Sequence, residues 1–336
     1  MQGQLDGDIE MTAEEFGLIR DFIHERSGIF FPENKMYLVK NRLARRMEDL
    51  QIKTVRDYFY HVKYDLSLKE FHRLMDLVTT NETSFFRNEP QLQCFSDEAL
   101  PLVINEQSTR KGNRTLRIWS AGCSTGEEPY TLAIIILERL RNAAGWNIEI
   151  VANDISEQVL QKARLGEYSG ITMRGVRPDL LARYFSRSGD SYRVNPEVKA
   201  LVKFSHMNLN DSRKLAMVSG MDMVFCRNVM IYFSDDVKRQ IVRGFYNALR
   251  PGGYLFIGHS ETLHGISKAF KLVYFKNALV YQKEAAAVTT AEPARQAPCT
   301  VRTAASPLAA RSTSAADGAT RAMELLSKIK PVTVRK

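Results

Sequence analysis

Cysteine is scarce in this chain: Cys94, Cys123, Cys226 and Cys299 stand far apart among 336 residues, with no CxxC pair. That pattern excludes a disulfide-stapled secreted module and fits a reducing compartment. The six histidines are scattered, with neither HExxH nor a Cys/His cluster, so no metal site is expected. Long apolar runs are missing too. The longest aliphatic stretch, LAIIIL at Leu132 to Leu137, is far short of a membrane span, and no signal peptide is recognisable. A cytoplasmic protein without membrane insertion is the expectation. What the chain does have is a basic surplus, 47 Lys and Arg against 38 Asp and Glu, or +9. Such a balance suits an acidic partner without choosing between nucleic acid and an acidic protein surface. From Glu284 onward the composition turns to Ala, Thr, Ser, Pro and Arg, and eight basic residues against four acids supply four of the nine surplus charges there. No core can be built from that tail; Arg321 to Lys330 has the pattern for one short basic helix, but a plain solubilising tail is the favoured reading.

The length predicts two domains plus extras. Residues 1–10 read as a loose lead-in. Thr12 with Glu15 forms a capping box, and Phe16, Ile19, Phe22 and Ile23 give the apolar face of a first helix that stops at Ser27-Gly28. A second helix is predicted from Pro32 to Leu50, buried along Met36, Val39, Leu43, Met47 and Leu50, with Lys35, Arg42, Arg45 and Arg46 gathered on one flank. Most charged helix flanks are merely solvated, but this one carries a single sign and also suits an acidic partner. Thr54 to Tyr64 predicts a third helix; Ser67 with Glu70 is the expected cap of a fourth that ends near Val78. The stretch TTNETSFFRNEP, Thr79 to Pro90, then places Arg87 beside two aromatics, more than a linker needs.

The centre of the chain is LRIWSAGCSTGEEPYTLA, Leu116 to Ala133. Leu116 to Ser120 is short and rich in β-branched and aromatic residues, which predicts a strand. Gly122 and Gly126 let the backbone turn, and Leu132, Ile135, Ile136 and Leu140 recur at helical spacing. Strand, tight turn and helix make the first half of a Rossmann-type unit. A pyrophosphate at such a turn wants bare N–H groups or a Lys. Here there is no cation, and Glu127 and Glu128 occupy the position. Carboxylates suit a helix N-terminus by dipole alone, but as binding groups they favour a cationic ligand. The next strand, Ile148 to Ala152, ends in Asn153 and Asp154, about twenty residues on, where an acidic side chain takes ribose hydroxyls. A cationic nucleoside without phosphates is S-adenosylmethionine.

Beyond Asp154, Ser156 to Leu165 is helical. Gly166 to Val202 carries mixed signals: a helix at Pro178 to Phe185, then SRSGDSYRV and ALVKF as short strands, read together as a small β insertion. FSHMNLND, Phe204 to Asp211, ends a strand in polar residues. MDMVFCRNVMIYF, Met221 to Phe233, is the fourth core strand, with Asn228 at its end and Tyr232 just beyond. Ligands of open α/β sheets lie outside such strand ends, which brings Asn208, Asn228 and Tyr232 to the Gly122 turn and Asp154. A tyrosine is more commonly a packing residue; its place after the strand favours function. Ser234 to Leu249 is the next helix, LRPGGYLFIGHSE a turn and strand, and Lys271 to Gln282 an antiparallel hairpin closing the sheet.

Five of these segments together carry a resemblance: TNETSFFR (Thr80 to Arg87), WSAGCSTGEEPY (Trp119 to Tyr130), ANDIS (Ala152 to Ser156), FCRNVMIYF (Phe225 to Phe233) and LRPGGYLFIGHSE (Leu249 to Glu261). In this order they resemble the chemotaxis receptor methyltransferase family, CheR, over about Met11 to Lys283. The resemblance implies a helical N-terminal domain at 11–90, for receptor recognition. It implies a Rossmann-like, class I α/β methyltransferase domain at 91–283 with the β insertion at about 166–202, and leaves 284–336 as a disordered tail. It further implies a monomer that transfers methyl from S-adenosylmethionine to glutamates on the cytoplasmic helices of chemoreceptors, giving glutamyl methyl esters for sensory adaptation and S-adenosylhomocysteine. Matched motif by motif, the family's cofactor contacts fall on Asn81, Thr83, Arg87, Glu128, Asp154, Asn208, Leu209, Asn228 and Val229; at the helix start both Glu127 and Glu128 remain open. The family's proposed catalytic pair falls on Arg87 and Tyr232, and its receptor-facing basic helix on Lys35 to Arg46. Family members that tether to a receptor's C-terminal pentapeptide carry extra glycine-containing residues in the β-insertion loop. Here SRSGDSYRV, Ser186 to Val194, is short, which implies a tether-independent enzyme.

Two other classes fit the same cofactor fold. A nucleic-acid methyltransferase suits the basic balance, but an enzyme acting on an exocyclic base nitrogen commonly offers Asn/Asp-Pro-Pro-Tyr after the fourth strand, where this chain has Asn228-Val-Met-Ile-Tyr. There is also no RNA-binding module with stacking aromatics. A cofactor-binding regulator without turnover is the third.

Overall fold

The computed structural model describes residues 9–109, 114–140 and 145–284. The expectations for the first eight residues and for the tail, including its short basic helix, lie outside them. Four helices come first: α1 (Ala13–Ser27), α2 (Met36–Asp49), α3 (Val55–Tyr64) and α4 (Lys69–Val78). The capping box at Thr12 is formed in full, and α1 stops where Gly28 turns left-handed at φ 78°, a conformation open to glycine at little cost. A 3-10 turn at Glu33–Lys35 takes the place of the expected first turn of α2. Phe16, Ile19, Ile23, Val39, Leu43, Met47, Tyr58 and Leu74 close these helices into a core of their own.

The cap of α4 differs from the sequence expectation. Asp65, not Ser67 with Glu70, serves its start: Asp65 accepts from Glu70 N at 2.8 Å and from Ser67 N at 2.9 Å. Glu70 is drawn inward instead, where it accepts from Arg46 Nε and Nη2 at 2.9 and 2.6 Å and from the Tyr58 hydroxyl at 3.0 Å. A buried carboxylate with a bidentate guanidinium is worth more than an exposed cap.

After a connecting loop, α5 (Glu89–Cys94) and α6 (Leu100–Thr109), joined by a π-helical turn, lead to β1 (Arg114–Ala121) and α7 (Glu127–Arg139). Then come β2 (Trp146–Asp154), α8 (Glu157–Leu165), β3 (Glu167–Tyr168), α9 (Pro178–Tyr184), β4 (Phe185–Ser188), β5 (Ser191–Val194), α10 (Pro196–Lys199), β6 (Val202–His206) and α11 (Ser212–Ala216). The chain closes with β7 (Met221–Cys226), α12 (Asp235–Ala248), β8 (Leu249–Ile257), β9 (Phe270–Tyr274) and β10 (Leu279–Lys283). A seven-stranded sheet runs β6-β2-β1-β7-β8-β10-β9, parallel from β6 to β8 and antiparallel at the closing hairpin. One face is covered by α6 and α7 and the other by α11 and α12, where Trp119 packs edge-on against Phe245. With β1 central and its neighbours reached by crossovers in opposite directions, the strand order reverses at β1, where open α/β sheets bind their ligands.

Three further differences have physical causes. ALVKF does not belong to the β insertion: β6 pairs in parallel with β2, Ile150 against Val202, and the insertion's third strand is Glu167–Tyr168. The fourth core strand ends at Cys226, because Asn228 turns left-handed (φ 60°) and Met230–Tyr232 winds into a 3-10 turn. In LRPGG the strand begins at Leu249 itself, and its pairing with β7 is irregular between Met221 and Met223.

Candidate active site

The reversal of strand order opens a cavity of about 470 Å³ between the helical segment and the carboxyl ends of the strands, within the range that takes a small ligand. Its floor is the turn after β1. Gly122 N and Cys123 N both donate to Asn153 O, at 2.8 and 2.9 Å, tying β1 to β2. Gly122 holds φ 80°, and a Cβ there would come within 2.5 Å of Val229 Cγ2, so only glycine fits. Ser124 N donates to Asp154 Oδ2 at 2.9 Å, and the Ser124 hydroxyl to Asn81 O at 2.9 Å. Asp154 is buried; that burial raises its pKa, while the N–H groups of Ser156, Ser124 and Ile155 oppose the rise.

Glu127 and Glu128 part company here. Glu127 is buried away from the cavity and accepts from the Thr125 hydroxyl at 2.7 Å; burial raises its pKa. Glu128 lines the cavity, fixed between the Ser120 hydroxyl at 2.8 Å and Arg227 Nη1 at 3.1 Å. Arg227 was not anticipated from sequence. It is buried, and its Nη2 donates to Arg87 O at 2.6 Å, so one guanidinium joins the carboxylate to the TNETSFFR loop. Its position next to Asn228 at the end of β7 was the available signal.

These residues fit a cationic nucleoside: the turn carries no lysine, one held carboxylate faces the cavity at the helix start, and a second acceptor, Asp154, stands at the next strand end. The model of the all-alpha domain of CheR methyltransferase matches residues 14–79, and that of the CheR methyltransferase SAM-binding domain matches 81–279. The chain belongs to the CheR family. Among its relatives, Chemotaxis protein methyltransferase 1 of Pseudomonas aeruginosa is 38% identical over 80% of this chain and 97% of its own length. Chemotaxis protein methyltransferase 2 of Vibrio cholerae is 36% identical over 82% and 95%, and Cher2 of Pseudomonas putida 35% identical over 80% and 97%. This CheR chain is thus an S-adenosylmethionine-dependent methyltransferase with a Rossmann-like domain, a small β insert and a preceding all-α domain.

Of the sequence-derived candidates in this CheR chain, Asn81, Thr83, Arg87, Glu128, Asp154, Asn208, Leu209, Asn228, Val229 and Tyr232 all border the one cavity. Arg87 is exposed, with Nη1 donating to Glu82 O at 2.9 Å. Asn208 spends its amide on the helical segment, Nδ2 donating to Arg26 O at 2.7 Å, and Phe30 N donates to Tyr232 O at 2.9 Å. The basic flank divides. Lys35, at the cavity rim, and Arg45 are exposed, whereas Arg46 is paired with Glu70 and Arg42 donates to Val78 O and Thr80 Oγ1. Sequence reasoning also missed Glu261, which accepts from Gly258 N at 2.6 Å, Asn228 N at 2.9 Å and Ile231 N at 3.2 Å. Among the described residues no cluster of His, Cys, Asp and Glu would hold a metal, and no helix is long and apolar enough to cross a membrane.

Proposed function

We propose that this protein methylates glutamate side chains on the cytoplasmic helices of chemoreceptors, forming glutamyl methyl esters. The observation that carries the reading is the match of both CheR segments, in order, together with a likeness that spans 95 to 97% of the length of relatives named chemotaxis protein methyltransferases. S-adenosylmethionine supplies an electrophilic methyl group on a sulfonium. A glutamate carboxylate is already a nucleophile at neutral pH, so the side chains have no proton to remove. Their work is to align and to exclude water, which in favourable cases is worth on the order of 7 kcal/mol or more. Glu128 and Asp154 hold the cofactor's cationic and ribose ends, with Asn81, Thr83, Asn208, Leu209, Asn228 and Val229 around it. Arg87 and Tyr232 orient the acceptor or the cofactor's carboxylate and activate neither; an Arg clamped on the nucleophile would slow a step that neutralises charge. The partner is the receptor's cytoplasmic domain, met by a monomer at the basic rim, where Lys35 and Arg45 are the exposed members beside Arg42 and Arg46. The β4–β5 hairpin turns through Gly189 and Asp190 alone. So short a loop favours action without a pentapeptide tether.

The test is transfer of radiolabelled methyl to purified receptor cytoplasmic fragments, with and without their C-terminal tail, beside RNA and DNA. Base-labile label on both receptor forms is expected. Label lost with the tail would refute tether independence, and label on nucleic acid alone would refute the substrate.

A further inference from the structure

The β insertion packs against the active-site loop in a way that a tethering role does not require. Arg87 lies between Phe86 at φ 55° and Asn88 at φ 63°, left-handed conformations that bulky side chains rarely adopt and that persist only where their surroundings over-determine them. Much of that surrounding comes from the insertion. Phe85, 1% exposed, has its ring edge-on between Tyr168 at 4.9 Å and Phe185 at 5.2 Å, one from β3 and one from β4. Phe85 N donates to Thr172 O at 3.0 Å. Gly175 lies flat against the loop: a Cβ there would collide with the Phe85 carbonyl oxygen and stand 3.5 Å from Phe86 Cβ. Gly175 is not left-handed, so alanine at this position adds bulk without backbone strain.

The same element reaches the cofactor turn. The Tyr168 hydroxyl donates to Thr125 O at 2.6 Å, and a Cβ on Gly126 would lie 3.0 Å from that hydroxyl. One side chain of the insertion therefore touches both the turn that follows β1 and the aromatic that anchors the Arg87 loop. On its other side the loop is held by Phe86 N donating to Thr131 Oγ1 at 3.2 Å and by Arg227. The tip of the insertion is open at Gly189, where a Cβ would meet nothing within 4 Å.

We propose that the base of the insertion braces the active site, with Gly175, Phe85 and Tyr168 as positioning residues that set the Arg87 loop against the cofactor turn. The proposal rests on the assignment of Arg87 to the cofactor site. Its test compares Gly175→Ala, Phe85→Leu and Tyr168→Phe with Arg87→Ala and with a control, Gly17→Ala, whose added methyl meets nothing within 4 Å. Melting, S-adenosylmethionine binding by calorimetry, and kcat and KM on a receptor fragment are measured well below each melting transition. Gly175→Ala and Phe85→Leu are expected to lower kcat/KM by about tenfold or more per folded molecule, since a displacement of about 1 Å suffices for such a loss. Tyr168→Phe keeps the ring and loses only the link to Thr125; it is expected to raise KM for S-adenosylmethionine more than it lowers kcat. Normal kinetics in folded Gly175→Ala and Phe85→Leu, or losses that only track the unfolded fraction, while Arg87→Ala is impaired, would overturn the brace alone. Normal transfer by Arg87→Ala would overturn both the brace and the role assigned to Arg87.

Discussion

The role proposed for Asp154 asks two things of it at once: it is a buried group, which favours its neutral form, and as an acceptor for ribose hydroxyls it would need to be the carboxylate. Burial outweighs the backbone N–H groups of Ser156, Ser124 and Ile155, so its pKa lies above the ordinary 3.8. A raised folded-state pKa means that on acidification the proton returns earlier than on an exposed aspartate. S-adenosylmethionine affinity should therefore begin to fall at a pH where ordinary carboxylates are still ionised, by up to about tenfold per pH unit. Calorimetric titration across mild acid checks this; Asp154→Asn should bind weakly and lose that part of the slope, and a wild-type midpoint at or below 3.8 would count against the assignment. Arg227 makes a different prediction. Its side chain is 4% exposed and Glu128's 14%, and removing one member of a buried pair costs about 3–5 kcal/mol because the other is left uncompensated. Arg227→Ala should lose stability on that scale, whereas Arg227→Ala with Glu128→Gln, having no charge left to strand, should recover most of it without recovering cofactor binding. Chemical denaturation beside calorimetry separates the two effects.

Among the elements, what could be read from sequence is what is local. The Thr12 capping box, the stop at Gly28, the strand, turn and helix around Gly122 and the closing hairpin each have their cause within a few residues. The misreadings share the opposite property. Glu70 left its expected cap because Arg46 and Tyr58, from other helices, claim it. ALVKF joined the main sheet because parallel pairing with β2 spans about fifty residues, which no local pattern announces. The candidate site was legible as a set of strand ends that border one cavity, since sheet topology fixes where those converge. What holds the ends in place was not, and Glu261 is the clearest case. Its carboxylate collects three backbone N–H groups from the two strand ends β7 and β8, including that of Asn228 in its left-handed turn. In Glu261→Gln one acceptor oxygen becomes an N–H donor facing a donor, so the Asn228–Tyr232 turn should loosen. KM for S-adenosylmethionine is expected to rise roughly tenfold, the equivalent of about 1.4 kcal/mol or one charged hydrogen bond. An unchanged KM in steady-state assays would show that the turn holds without it.

At the scale of the whole molecule, the helical segment is one wall of the site. Arg26 O takes the Asn208 amide, His24 meets the Ser234 hydroxyl at 3.1 Å, and Asp76 accepts from the Ser156 hydroxyl at 2.6 Å at the start of α8. In the same seam His72 of α4 lies with its ring 5.0 Å from that of His206, at the end of β6 and next to the cavity residues Met207 and Asn208. His206 Nε2 is 2.9 Å from Ile155 O, which assigns the proton of the neutral ring to Nε2. Burial, then His72 and Lys214, push its pKa below 6.5, against the Ile155 carbonyl and Glu157. For a histidine lowered on folding, the unfolded chain binds the proton more readily, so the stabilisation is present above 6.5 and is lost as pH falls through the lower, folded value. Protonation also adds a second positive charge beside Lys214 at the joint that closes the cavity. Melting temperature should therefore decline as pH is lowered from about 7 to about 5, where an unperturbed histidine takes up its proton, and S-adenosylmethionine affinity with it. His206→Asn keeps a donor for Ile155 O but does not titrate, and should remove that part of the slope from both; a wild-type slope in the variant would place the pH sensitivity elsewhere in the seam.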